Sequence, residues 1–142
     1  MAQAEGAHLT NLGIGELAKR IAEADTATGL QSIQCVEGAC DEDTIDTSTF
    51  ANPGGATKIT TSGLTIVDAD TVVTSTTTIT DDTVELDHVF TATASKTVTG
   101  FACYNNDDDV TLAAACFAAG VAMESDDTLT CELKMRVVDS TT

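Results

Sequence analysis

Tryptophan is absent from this chain, and there are only one tyrosine and four phenylalanines. Carbohydrate enzymes that work with paired carboxylates usually hold the sugar on an aromatic platform, which this composition barely supplies. Basic residues are also scarce. Six Lys and Arg face 23 Asp and Glu, a formal net charge of −17. A phosphate backbone needs a basic footprint, so nucleic acid is not an expected partner. There is a single proline, at Pro53. No apolar run reaches the length of a membrane span, since residues 112–123 are short and Ala-rich, and no membrane insertion is expected. Residues 1–8 carry neither a basic start nor an apolar stretch, so no secretory signal is expected.

What is present points to a β-protein. The 142 residues suit one domain. Threonine is in excess, with 26 copies concentrated between Thr44 and Thr99. Its β-branched side chain favours strands and offers a hydroxyl to a solvated face. Apolar residues reach 42%, but much of that is alanine, so the core should be thin and finished by neighbouring subunits. The acidic excess suits a surface that meets water and cations, or a basic patch on another protein.

Residues 14–21 form the one convincing helix. Ile14, Leu17, Ala18 and Ile21 fall on one stripe, Thr10 or Asn11 can cap its start, and Glu16 and Arg20 can pair one turn apart. That stripe, through Ile14, Leu17 and Ile21, is the expected assembly surface. The pattern then turns to period 2. Strands are expected at 32–36, 58–60, 64–67, 72–79, 83–94, 98–104, 110–117 and 129–137, with an acidic, turn-rich stretch at 37–52 and reversals at 53–55 and 120–127. The clearest alternation puts Leu129, Cys131, Leu133, Met135 and Val137 on one face of the last strand. The expected fold is mainly β, an antiparallel β-sandwich or jelly-roll-like sheet pair with a short N-terminal helix. Residues 1–30 make an arm and amphipathic helix, and residues 31–142 make the β-domain.

Five cysteines form an odd set. Cys103, Cys116 and Cys131 sit in apolar or alternating stretches and read as buried thiols. Cys35 and Cys40, in CVEGAC, are the pair that can meet across a Gly-containing turn, as a disulfide or as separate thiols.

The concentrated chemistry is acidic. Asp41-Glu42-Asp43, Asp68 with Asp70, Asp81-Asp82, Asp107-Asp108-Asp109 and Asp126-Asp127 all fall in expected loops. They read first as solvated turns, and secondarily as weak oxygen-ligand sites for Ca²⁺. Asp107, Asp108 and Asp109 are the best placed, because strands on both sides would fix the loop ends. None has the twelve-residue helix-loop-helix spacing, and no other cofactor is expected. His88 shares its parity with Leu86 and Phe90, which makes it a partly buried structural histidine, and His8 has no partner in sequence. Gly13 and Gly15 precede the helix without a following Lys-Ser or Lys-Thr, so they make no phosphate cradle. No catalytic constellation is visible.

The stretch HVFTATASKTVTGFACYNNDDDVTLAAACFAAGVAMESDDTLTCELKMRVV resembles the C-terminal half of short phage tail-fibre and virion-associated proteins. The matching pieces are residues 98–105, 112–117 and DTLTCEL at 127–133, and NLGIGELAKRI resembles the family's opening helix. The family's Gly-Thr-Gly stretch is replaced here by CVEGACDED, and the Trp of its last strand is missing. The resemblance implies a non-enzymatic structural protein of a tailed phage or virus particle, a capsid decoration or a tail or fibre component, assembled in the host cytoplasm. The expected partners are copies of itself, as a trimer, and other virion proteins such as the major capsid or tail protein. The alternative is an adhesin-like module that binds a host surface with help from a cation.

Overall fold

The computed structural model describes residues 4–11, 13, 29–47, 52–76, 83–105 and 110–136. Among them are nine strands: β1 (Ala4–Leu9), β2 (Leu30–Glu37), β3 (Thr57–Lys58), β4 (Val67–Asp68), β5 (Thr71–Ser75), β6 (Thr83–Thr91), β7 (Lys96–Asn105), β8 (Thr111–Met123) and β9 (Thr128–Arg136). Every pairing is antiparallel. Sheet A runs β1-β8-β7-β2-β3, with β4 also on β2, and sheet B runs β5-β6-β9.

The two sheets share one buried core. Ile33, Cys35, Phe101, Cys103, Ala113 and Ala115 of sheet A meet Leu86, Phe90, Leu129, Cys131 and Leu133 of sheet B. In β9 the alternation becomes geometry: Leu129, Cys131 and Leu133 are buried and Met135 is half-buried, while Thr130, Glu132 and Lys134 are exposed; Val137 lies outside the described residues. β6 keeps the same order, with Leu86 and Phe90 inside and Val89 outside.

Sheet A differs because both of its faces are covered. Its far face carries a second cluster of Ile45, Ala102, Tyr104, Ala114 and Cys116, against which Cys40 and Ile66 rest. The covering layer is the acidic segment after β2, which folds back through two 3-10 turns, Glu42–Thr47 and Pro53–Gly55. The alanines of β8 and Ala102 of β7 take up little room, which lets this layer lie close to the sheet. A strand buried on both faces reads as a continuous apolar run, so its ends are hard to place from sequence. β8 accordingly runs on to Met123, past the expected end at residue 117. Its ladder with β7 is irregular between the pairs Val98↔Val121 and Gly100↔Cys116, where β8 carries the extra residues. The reversal that follows is tighter than expected and is centred on Asp126, at φ 72°.

Three expectations change. Cys40 does not bond Cys35. It bonds Cys116, with Cα atoms 5.5 Å apart, so Cys116 is not a free thiol either. The reason is strand parity, because Cys35 points into the inter-sheet core while Gly38 (φ 85°) turns the chain toward the other face of sheet A. The strand expected at 64–67 shrinks to β4, because Ser62 and Gly63 form a turn with positive φ that leaves Leu64 in the core. Residues 4–9, expected in an arm, form β1 on the edge of sheet A. At its end Thr10 accepts the Gly13 N–H at 2.9 Å, the bond made by a helix-capping threonine. The stripe of Ile14, Leu17 and Ile21 lies outside the described residues.

Candidate functional site

The most exposed large apolar side chains among the described residues all lie on sheet B: Val72 (43%) and Val73 (47%) on β5, and Val89 (48%) on β6. The register explains their positions. Val73 stands opposite Glu85 and Thr71 opposite Asp87, so Val73, Glu85, Asp87 and Val89 share the outer face. Val72 stands opposite the buried Leu86 and belongs to the inner face, yet it is open because β5 is an edge.

Other edges carry devices that discourage pairing. β9 presents exposed Glu132, Lys134 and Arg136, β3 is two residues long, and β1 has an irregular register. β5 has five residues, no charge, no proline and an unbroken register with β6 from Thr71↔Asp87 to Ser75↔Thr83. Among the described residues it is the least defended edge.

Asp70 holds the start of that edge. Its N–H donates to Asp87 O at 2.8 Å, its Oδ2 accepts the Val89 N–H at 3.1 Å, and its Oδ1 lies 3.1 Å from His88 Nδ1. His88 stacks edge-on against Phe90 with ring centroids 4.6 Å apart. It is part of the β5–β6 corner, as its parity with Leu86 and Phe90 indicated. At the far end of the edge, the Ser75 hydroxyl donates to Glu85 Oε1. On the outer face, Glu132 at 3.0 Å and then Glu85 at 3.7 Å hold the Lys134 ammonium above its usual pKa.

Compared with protein-family models, curated proteins and solved structures, the chain matches none.

Asp68, in β4, accepts a cross-strand bond from Gln31 Nε2 at 3.2 Å. Two other described acidic loops act as turn-formers: Asp41 Oδ1 accepts the Asp43 N–H at 3.0 Å and Asp127 Oδ2 accepts the Glu124 N–H at 2.8 Å. A short acid that bonds backbone two or three residues away replaces a missing turn bond. No group of three or more His, Cys, Asp or Glu among the described residues is placed to hold a metal ion. Asp81, Asp82 and the three candidate Ca²⁺ ligands Asp107, Asp108 and Asp109 lie outside the described residues.

An open cleft of about 410 Å³ lies where β2 ends, β7 begins and β8 ends. Its charged side chains are already engaged within the cleft. Lys96 Nζ donates to both Glu37 carboxylate oxygens, at 3.0 and 2.8 Å, and the Ser95 hydroxyl donates to Glu124. Three free thiols, Cys35, Cys103 and Cys131, lie buried between the sheets. The hydrogen bond with Cys131 and then burial push the Cys35 thiol far above its usual pKa, and burial does the same to Cys103. Thiols in such a setting stay protonated and inert.

The strand expected at 72–79 is represented among the described residues by β5, an edge of sheet B. Its missing ingredient was register, because a strand of Thr, Val and Ser gives little sign of which side chain faces the core.

Proposed function

We propose that this chain is a non-enzymatic structural protein of a tailed phage or other virus particle, working through subunit contacts as a capsid decoration or as a tail or fibre component. On this reading the two sheets form an antiparallel sandwich of the jelly-roll-like kind. The observation that carries the proposal is the trio Val72, Val73 and Val89, exposed on one sheet of a chain whose formal charge is −17. Covering the exposed half of each valine contributes about 1 kcal/mol, enough to favour a repeated contact but not to hold one subunit alone. A particle supplies such contacts in many copies, and avidity does the rest. The acidic turns then face water and keep finished particles apart.

The subunit is a homo-oligomer that also touches other virion proteins, such as the major capsid or tail protein. The proposed assembly is a cyclic trimer, with the β5 edge of sheet B as a further contact. The test is mass spectrometry of purified virus particles from the source culture. The expected result is the chain at tens of copies per particle, resistant to washing. Its absence from particles overturns the proposal.

A further inference from the structure

We infer that the acidic layer over sheet A is a flap latched by the Cys40–Cys116 bond, and that reduction of this bond by a dithiol opens the layer while both sheets stay folded. The inference is independent of the virion reading. The layer joins β2 to β3, and its two ends are fixed side by side, because Glu37 pairs with Thr57 and Val36 with Lys58. It can therefore swing without moving a strand. Gly38 (φ 85°) and Gly55 (φ 76°), both exposed, stand near those ends as pivots. Within the layer the Asp41 N–H donates to Gly54 O at 3.0 Å and the Thr44 N–H to Asp41 O at 3.1 Å, so these bonds travel with it. Cys40–Cys116 fastens it to β8.

The closed position carries a cost. Glu42 Oε1, in the layer itself, is buried with no hydrogen-bond partner. Gln34 is 2% exposed and pairs with Ala102 in the β2–β7 ladder, which puts it on the far face of sheet A. Its Nε2 donates to Ile59 O at 2.8 Å, but its Oε1 is buried without a partner as well. An unmet acceptor, above all a carboxylate oxygen, favours the state in which water reaches it. The apolar contact that opposes opening is small, since the sheet meets Ile45 with Ala102 and Ala114 beside Tyr104. The covalent bond decides between the two positions.

Cys40 is half-buried and Cys116 is 3% exposed, so exchange starts at Cys40. One thiolate of the dithiol attacks Cys40 Sγ, the S–S bond breaks, and Cys116 leaves as a thiolate. The second thiolate then attacks the reductant's own sulfur in the mixed disulfide, and Cys40 leaves in the same way. The dithiol departs as a disulfide, and the two protons it lost to water are taken up by Cys40 and Cys116. In a reducing compartment the layer stands open, and in an oxidising one it is shut.

The test uses the full chain, before and after dithiothreitol in native buffer, together with Cys40→Ser. Tyr104 is the one tyrosine of a chain without tryptophan and packs in the cluster beneath the layer, so its fluorescence reads the flap directly. Acrylamide quenching should be weak in the oxidised chain, rise severalfold on reduction, and fall back after reoxidation with oxidised glutathione. Cys40→Ser should quench like the reduced chain, with or without dithiothreitol. Iodoacetamide should label Cys40 and Cys116 in the reduced chain, but Cys35, Cys103 and Cys131, buried between the sheets, only in urea. The circular dichroism spectrum should stay that of a β-protein throughout. The inference is overturned if Tyr104 stays shielded once Cys40 and Cys116 are labelled, or if Cys40→Ser is as shielded as the oxidised chain. It is overturned equally if dithiothreitol releases no thiol without urea, or if all the cysteines label together because the whole fold opens.

Discussion

Cys40, in the segment that covers sheet A, is bonded to Cys116, in the strand beneath it, and the bond joins positions 76 residues apart. Gly100 lies under it. A Cβ there would stand 3.1 Å from Cys40 Sγ and 2.3 Å from Ala115 O, so the bond and the β7–β8 ladder both depend on a residue without a side chain. Gly54 makes room from the other side, with a Cβ position 3.3 Å from Cys40 Sγ. One covalent link and two glycines thus hold the acidic layer over Ile45, Ala102, Tyr104 and Ala114.

Removing the bond should loosen that layer and cost stability. Closing a loop of this length is worth about 4 kcal/mol by chain entropy, and measured effects run at roughly 2–4 kcal/mol. Cys40→Ser, Cys116→Ser and the double variant should therefore unfold at lower urea by similar amounts. Dithiothreitol should bring the wild type to the same midpoint and leave the double variant where it is. A double variant that matches oxidised wild type would show that the bond does not form.

Glycine substitutions should separate crowding from backbone strain. At Gly63, φ is 75° and a Cβ would stand 2.2 Å from Thr91 O, a backbone atom that the β6 ladder holds in place. At Gly38, φ is 85° but nothing lies within 4 Å of the added atom. Gly38→Ala should cost only the left-handed penalty, about 1 kcal/mol. Gly63→Ala should cost clearly more, about 3 kcal/mol or above, because the turn must open. Thermal unfolding of the two variants under one buffer reads the difference, and equal costs would contradict the close approach at Thr91.

The contrast between the sheets decides how much was legible in the sequence. Sheet B has one solvated face, so Leu129, Cys131 and Leu133 alternate cleanly with Thr130, Glu132 and Lys134, and both β6 and β9 can be placed by eye. Sheet A is covered twice, so Ala113 and Ala114 are buried on opposite faces and alternation disappears. The cysteine pairing was hidden for the same reason. Cys35 and Cys40 are near in sequence, yet the sheet between the two clusters separates them. β1 was illegible because AEGAHL has no period of either kind. The Thr-rich strand could be anticipated from its composition, but Val72 and Val73 gained meaning only once β5 had a register against β6.

Asp70 should prove to be the anchor of the β5 edge. Its carboxylate takes the Val89 N–H and lies against His88, and its exposure of 54% limits the ion-pair part to a small term. Asp70→Ala should therefore cost about 1 kcal/mol, mostly from the lost bond to the Val89 amide. Hydrogen exchange at that amide should speed up while the amides of β9 stay protected. Unchanged exchange at Val89 would remove the anchor role.

The buried thiols should make the fold sensitive to alkali. Cys35 and Cys103 have pKa values raised above the usual 9.0, so in the folded chain both stay protonated where unfolded cysteines ionise. The sign follows from linkage. Below about pH 9 the unfolded and folded thiols are both neutral and the stability they allow is fully present. As pH rises above that, the unfolded state alone gains by losing protons, and stability falls by about 1.4 kcal/mol per pH unit for each thiol. Urea midpoints between pH 8 and 10.5 should therefore drop more steeply in wild type than in Cys103→Ala, whose slope should be shallower by one thiol's share. The comparison uses slopes, so the cavity left by the substitution shifts the whole curve without altering the test. Parallel curves for the two proteins would mean that Cys103 is ionised, or reaches water, in the folded state.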